Sequence, residues 1–146
     1  MKSLYTAKAK ATGGRNGHVK SSDGVLDVDM RSPKEMGGPE GNYLNPEILF
    51  AAGYAACFDS ALNMIIKTEK VQAGTTSVTA EVSIGKLDNG GYGLGVILLI
   101  EIPEVDKAVA QELANKAHQV CPYSNATRGN IDVQLMIQEV PALAVS

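Results

Sequence analysis

Hydrophobic and polar positions alternate at the start of the chain. Tyr5, Ala7, Ala9 and Ala11 interleave with Thr6, Lys8, Lys10 and Thr12, the period-two pattern of a half-buried strand. Gly13-Gly14-Arg15-Asn16-Gly17 breaks that pattern, and His18–Ser22 reads as a short partner strand. After the turn signal Ser22-Asp23-Gly24, Leu26, Val28 and Met30 share one face, with Asp27 and Asp29 opposite. Met36–Leu44, rich in glycine, reads as loop. The pattern then changes period. Asn45 suits a helix N-cap, Pro46 the first helical position, and Glu47 the positive end of the helix dipole. From Ile48 to Phe58 the sequence is apolar all round, which predicts a buried helix ending near Lys67–Lys70.

Alternation returns at Val78, Ala80, Val82 and Ile84, and Asp88-Asn89-Gly90-Gly91 predicts a hairpin into a strand over Tyr92–Ile102. Asp106 is placed to cap a second helix reaching about Val120, and Ile131, Val133, Leu135 and Ile137 alternate as a closing strand. Three strands, a helix, a hairpin, a helix and a strand make an α+β chain of antiparallel pairs, with no regular βαβ repeat.

Composition narrows the class. At 146 residues and 15.3 kDa the chain fits one domain, 1–146, large enough to fold without disulfides or metal. A net charge of −3 and a pI near 5.3 argue against nucleic-acid binding. No apolar run approaches the ~20 residues of a membrane span, and Met1–Tyr5 lacks the apolar core of a signal peptide. With two cysteines only, the expectation is a protein of a reducing compartment, the cytoplasm, with no membrane partner.

The candidate chemistry is sparse. Cys57 lies within the apolar helix and Cys121 at the end of the second, before Pro122; they are small core hydrophobes or a reactive pair. Arg15 is a solvated turn residue or the cation that a thiolate needs. Glu47 complements the helix dipole or holds that guanidinium. His118 and Cys121 have half the spacing of a zinc site, but no second pair follows, so no metal is expected. No serine-hydrolase elbow, phosphate loop or dinucleotide fingerprint is present.

Five ordered motifs carry a resemblance: Ala11-Thr12-Gly13-Gly14-Arg15-Asn16-Gly17, Ser21-Ser22-Asp23-Gly24-Val25-Leu26, Asn45-Pro46-Glu47-Ile48-Leu49-Phe50-Ala51-Ala52-Gly53-Tyr54, Ala56-Cys57-Phe58, and Cys121-Pro122-Tyr123-Ser124-Asn125-Ala126-Thr127-Arg128-Gly129-Asn130. Over essentially its whole length the chain resembles the organic hydroperoxide resistance (Ohr) family, which belongs with the OsmC-like proteins. The Gly-Gly-Arg and Cys-Pro-Tyr-Ser-Asn-Ala-Thr-Arg runs favour that branch, while Ile48 and Tyr43-Leu44 are less typical of it.

The resemblance implies an OsmC/Ohr-like fold, with curved antiparallel sheets wrapped around central helices in an intertwined homodimer that has active sites at its interface. It implies a thiol-dependent peroxidase for organic, including fatty-acid, hydroperoxides. Cys57 would be the peroxidatic nucleophile, Cys121 the resolving thiol that forms an intramolecular disulfide with it, and Arg15 and Glu47 the nucleophile's polar partners. It implies no resident cofactor; the reductant would be an external dithiol such as dihydrolipoamide, on a lipoylated protein. The alternatives are an OsmC-type peroxidase of broader range, an apolar-ligand binding protein with passive cysteines, and a redox sensor, for which no DNA-reading element is visible. Helix geometry adds one expectation: Glu47 and Cys57, ten residues apart on one helix, stand about 15 Å apart along its axis, so Glu47 should serve Cys57 of the partner subunit.

Overall fold

The computed structural model describes residues 1–140, in two units that are taken separately: Met1–Leu49, and the chain from Phe50 onward. In the first unit the alternating segments form a three-stranded antiparallel sheet. Its strands are β1 (Ala9–Thr12), β2 (His18–Ser21) and β3 (Asp27–Asp29), in the order β1-β2-β3. Thr12 pairs with His18 and Ala9 with Ser21, while His18 pairs with Asp29 on the other side. β1 is shorter than the alternation predicts: Tyr5 and Ala7 precede it, and every residue of β1 is exposed. Alternation marks the face a strand would bury; it does not say that this chain itself supplies the cover.

The glycine-rich break is a tight turn, with a 3₁₀ turn over Gly14–Asn16 that carries Arg15 at its centre. Gly13 has φ 79°, in the left-handed region, and a Cβ on Gly17 would lie 1.7 Å from the Thr12 carbonyl oxygen. Neither position accepts a larger side chain without moving the loop.

Helix α1 (Pro46–Thr68) starts as its sequence predicts: Asn45 Oδ1 accepts from the Ile48 N–H at 2.8 Å. The expectation that it is buried all round does not hold within this chain. Tyr54, Phe58, Ala61 and Leu62 are buried, one helical stripe, whereas Ile48 and Met64 are 47% and 52% exposed. In length and composition α1 could cross a bilayer, although its apolar stripe packs on protein here and Asp59 accepts a hydrogen bond from Thr76 Oγ1 midway along it.

Beyond α1, β4 (Ser77–Lys86) and β5 (Tyr92–Glu101) form the predicted hairpin, Ser77 pairing with Glu101 and Lys86 with Tyr92. Helix α2 (Lys107–Val120) is capped by Asp106, whose Oδ1 accepts from the Val109 N–H at 2.9 Å. A short helix α3 (Pro122–Thr127), absent from the sequence reading, leads to β6 (Asp132–Gln138). β6 joins β5 parallel, not antiparallel, with Gly95 opposite Asp132 and Glu101 opposite Gln138. The α2–α3 segment is a crossover long enough to bring the chain back in the same direction, which a tight turn could not do. The architecture remains α+β. Leu98 and Ile100 of β5, Leu113, Ala114 and Ala117 of α2, and the α1 stripe close around Cys121 as the core of this unit.

Candidate active site

The four candidate residues come together as two pairs, one within each unit. In the first, the planar Arg15 guanidinium grips the Glu47 carboxylate with both arms: Nη1 donates to Oε2 at 2.8 Å and Nη2 to Oε1 at 2.5 Å. This two-pronged geometry needs arginine, since a lysine ammonium cannot match both oxygens. Hydrogen bonding to Arg15 holds the Glu47 carboxyl below its ordinary pKa, against the opposing effect of burial, and raises that of Arg15. Both groups are therefore charged at neutral pH.

Arg31, which sequence reasoning missed, braces the loop that carries Arg15. Its Nη1 donates to the carbonyl oxygens of Asn16 and Gly17, at 3.2 Å each, and of Met30 at 2.6 Å, while its guanidinium lies 6.0 Å from the centre of the Tyr43 ring. Its targets are backbone carbonyls, which leave no residue-type signal.

In the second unit, Cys57 on α1 and Cys121 between α2 and α3 are both free thiols, their sulfurs 3.6 Å apart. Cys121 reaches this place because of Pro122. A residue before proline is pushed out of the helical region, and Cys121 has φ −64° and ψ 125°, so α2 stops there and α3 restarts with proline at its first position. The cysteine ends one helix and caps the next, buried at the break. Cys57 is half-buried. Burial is the largest influence on its thiol and pushes the pKa up; the Tyr123 backbone N–H pulls it down, and Cys121 raises it further. Within this unit alone the thiol form is favoured, so a thiolate at neutral pH needs a cation from elsewhere.

Beside Cys57, Phe50, Tyr54 and Tyr123 stack edge-to-face or tilted, with ring centres 5.6–6.2 Å apart. His118 spends Nδ1 on Ser124 Oγ, at 2.7 Å. Among the described residues no three His, Cys, Asp or Glu side chains are clustered to hold a metal ion. Two sulfurs at this distance need to close by roughly 1.5 Å to make a disulfide bond, which a side-chain rotation and a small helix adjustment can supply.

Comparison with known proteins agrees on one assignment. The OsmC-like protein family matches residues 38–136. An organic hydroperoxide resistance protein of Xanthomonas axonopodis pv. citri (strain 306) is 53% identical over 137 residues, covering 93% of this chain and 96% of the relative. The crystal structure of an organic hydroperoxide resistance protein from Elizabethkingia anophelis superimposes with a TM-score of 0.92 at 61% identity, over 96% of this chain and all of that one. OhrB of Bacillus subtilis superimposes at 0.85 with 45% identity, over 93% of this chain and all of its own. With its fold, its pair of free cysteines and its Arg15–Glu47 fork, this chain belongs to the OsmC-like protein family, in the organic hydroperoxide resistance branch.

Proposed function

We propose the course by which this chain, a thiol-dependent peroxidase, reduces organic hydroperoxides: a two-cysteine cycle that starts at Cys57 and closes through Cys121. The single observation carrying the reading is the 3.6 Å separation of two free thiols, one half-buried and one fully buried. The Cys57 thiolate attacks the outer peroxide oxygen, the O–O bond breaks, and the alkoxide leaves as alcohol after taking a proton. Cys57 becomes a sulfenic acid. Cys121 then displaces its oxygen as water and forms the Cys57–Cys121 disulfide. An external dithiol, dihydrolipoamide on a lipoylated protein, restores both thiols by exchange, so no resident cofactor takes part.

Arg15 supplies the cation that Cys57 lacks within its own unit and steadies the negative charge developing on the peroxide oxygens; Glu47 aims it. That assignment fits a homodimer in which the Arg15–Glu47 fork of one subunit serves Cys57 of the partner subunit. Two features support it. The alternating apolar face of β1 and part of α1 are uncovered in a single chain. Glu47 and Cys57 also stand ten residues apart on the same helix, about 15 Å along its axis, too far for one guanidinium to bridge. Phe50 and Tyr123, edge to face with ring centres 6.1 Å apart, offer an apolar wall for the organic part of the substrate, worth about 0.8 kcal/mol per buried methylene. A reducing cytoplasm keeps the resting thiols free.

A stoichiometric thiol count tests the cycle. One equivalent of cumene hydroperoxide added to the reduced protein should consume both thiols and give a Cys57–Cys121 linkage by mass spectrometry, and Cys57→Ser should abolish this. Survival of both thiols in folded protein would make the cysteines passive and favour an apolar-ligand binding protein.

A further inference from the structure

Between the two helical elements that carry the cysteines lies a buried polar cluster with no part in the peroxide chemistry above. Tyr54 sits three residues before Cys57 on α1, and its hydroxyl is hydrogen-bonded to Ser124 Oγ at 2.8 Å and to Thr127 Oγ1 at 3.2 Å. Ser124 stands three residues after Cys121, on α3. Its Oγ also meets His118 Nδ1 at 2.7 Å, and His118 stands three residues before Cys121, on α2. Tyr54 and Ser124 are fully buried and Thr127 is 2% exposed. Arg128 closes the bracket from outside, its Nη2 donating to the His118 carbonyl at 2.5 Å. One serine hydroxyl thus joins the helix of Cys57 to both helices that flank Cys121.

We propose that Ser124, held by Tyr54 and His118, is the positioning residue for the resolving step, fixing the approach of Cys121 to an oxidised Cys57. The inference rests on the two-cysteine cycle proposed above. In that step the Cys121 sulfur bonds to the Cys57 sulfur, the S–O bond of the sulfenic acid breaks, and the hydroxyl leaves with the Cys121 thiol proton as water. No outside oxidant or base is needed for balance, so the step is governed by how the two sulfurs are placed. Peroxide attack on Cys57 makes no such demand on Cys121. A fault in the hydroxyl bracket therefore slows disulfide formation and spares sulfenic acid formation. An apolar side chain at position 124 would hold the helices by packing alone and leave Tyr54 and His118 without their shared partner, whereas burying a hydroxyl here makes sense for the directional restraint it imposes.

The test is single-turnover oxidation of the full-length reduced protein by one equivalent of cumene hydroperoxide. Sulfenic acid at Cys57 is trapped by dimedone, and disulfide is counted by mass spectrometry over time. In Ser124→Ala, sulfenic acid should form within about twofold of the normal rate and then persist at least about tenfold longer. Ser124→Thr, which keeps the hydroxyl, should restore most of the condensation rate, and Tyr54→Phe should slow condensation selectively as well. Condensation at the normal rate in Ser124→Ala would overturn the proposal. So would equal slowing of both steps without rescue by threonine, the mark of general loosening. If the alanine variant fails to fold, Tyr54→Phe decides by the same criterion. A wild-type protein that keeps both thiols would instead sink the two-cysteine cycle itself, and this is read before any variant is made.

Discussion

Gly53 gives Tyr123 its place: a Cβ at position 53 would lie 2.5 Å from the Tyr123 hydroxyl oxygen and 3.0–3.2 Å from the nearest ring carbons. The same tyrosine offers its backbone N–H to Cys57, so the bare face of α1 one turn before Cys57 decides how close α3 can come. Gly53→Ala sets two effects against each other. Alanine favours the helix by about 1 kcal/mol, while the overpacked ring costs about 1–3 kcal/mol unless it swings outward. Because Tyr123 is 37% exposed, the ring can yield, and the net change in denaturant stability should stay within about 1 kcal/mol. With Tyr123→Ala in the background the clash is gone and Gly53→Ala should become stabilising by about 0.5–1 kcal/mol. Denaturant melts of the four proteins measure this. Equal effects in both backgrounds would show that the ring does not lean on Gly53.

The Arg15–Glu47 fork predicts two separable outcomes. Arg15→Lys keeps the charge but loses the paired hydrogen bonds, so the rate of Cys57 oxidation by an organic hydroperoxide should fall roughly 10²-fold with the fold intact. Glu47→Gln leaves the guanidinium unaimed and should cost less, about tenfold. The carboxylate also links stability to pH. Its folded pKa is depressed, so its contribution is present above the ordinary value of 4.5 and lost as pH falls through the lower folded value. Melts over that acid range should show wild type losing about 1 kcal/mol that Glu47→Gln never had. Parallel pH profiles for the two proteins would remove the fork from the stability account.

Much of this was readable in advance, and the gaps have physical causes. The starts of α1 and α2 were legible because Asn45 and Asp106 have a local task, accepting from an N–H three residues on, and they perform it. The β4–β5 hairpin was legible for the same kind of reason, its turn lying within a few residues. Strand direction is different: alternation in β6 fixes which side chains face inward and is silent on whether the strand runs with or against β5. The six residues of α3 are too few to display a helical period, and Cys121-Pro122 advertises only a break. An apolar circumference on α1 gives no direction to its burial, so it overstated what this chain buries. As for the site, the residue pattern left Cys57 and Cys121 equally readable as core; the family motifs singled them out. Tyr54, Ser124 and His118 carry no sequence signal of a shared hydrogen-bonded cluster, and only folding joins them.

A cross-subunit site predicts complementation between dead proteins. In such a site Arg15→Ala removes the guanidinium and Cys57→Ser the thiol, and each should be inactive as a homodimer. In a mixed dimer, the intact Cys57 of the first chain meets the intact Arg15 of the second, so one site of the two is whole. Co-expression in equal amounts with random pairing should recover about a quarter of normal peroxidase activity, at a sedimentation mass twice 15.3 kDa. No recovery from dimers shown to be mixed would place Arg15 and Cys57 of each site on the same chain.

His118 yields the last prediction. Its pKa lies below the ordinary 6.5, mainly because burial penalises the charged ring and also because the Arg128 guanidinium repels it. The neutral ring can accept a hydrogen bond from Ser124 Oγ or donate one to it. A protonated ring can only donate, which obliges Ser124 to donate to Tyr54 and Tyr54 to Thr127. Since the unfolded chain binds this proton more readily than the folded one, stability is at its full value above pH 6.5. It declines as pH falls from there to the lower folded pKa, below which the loss is complete. Stability measured by denaturant from pH 7.5 to 5 should therefore slope downward on acidification, and His118→Gln should flatten that part of the slope. If His118 titrates at or above 6.5 by NMR, the folded protein holds the charged ring without penalty and the expected slope is overturned.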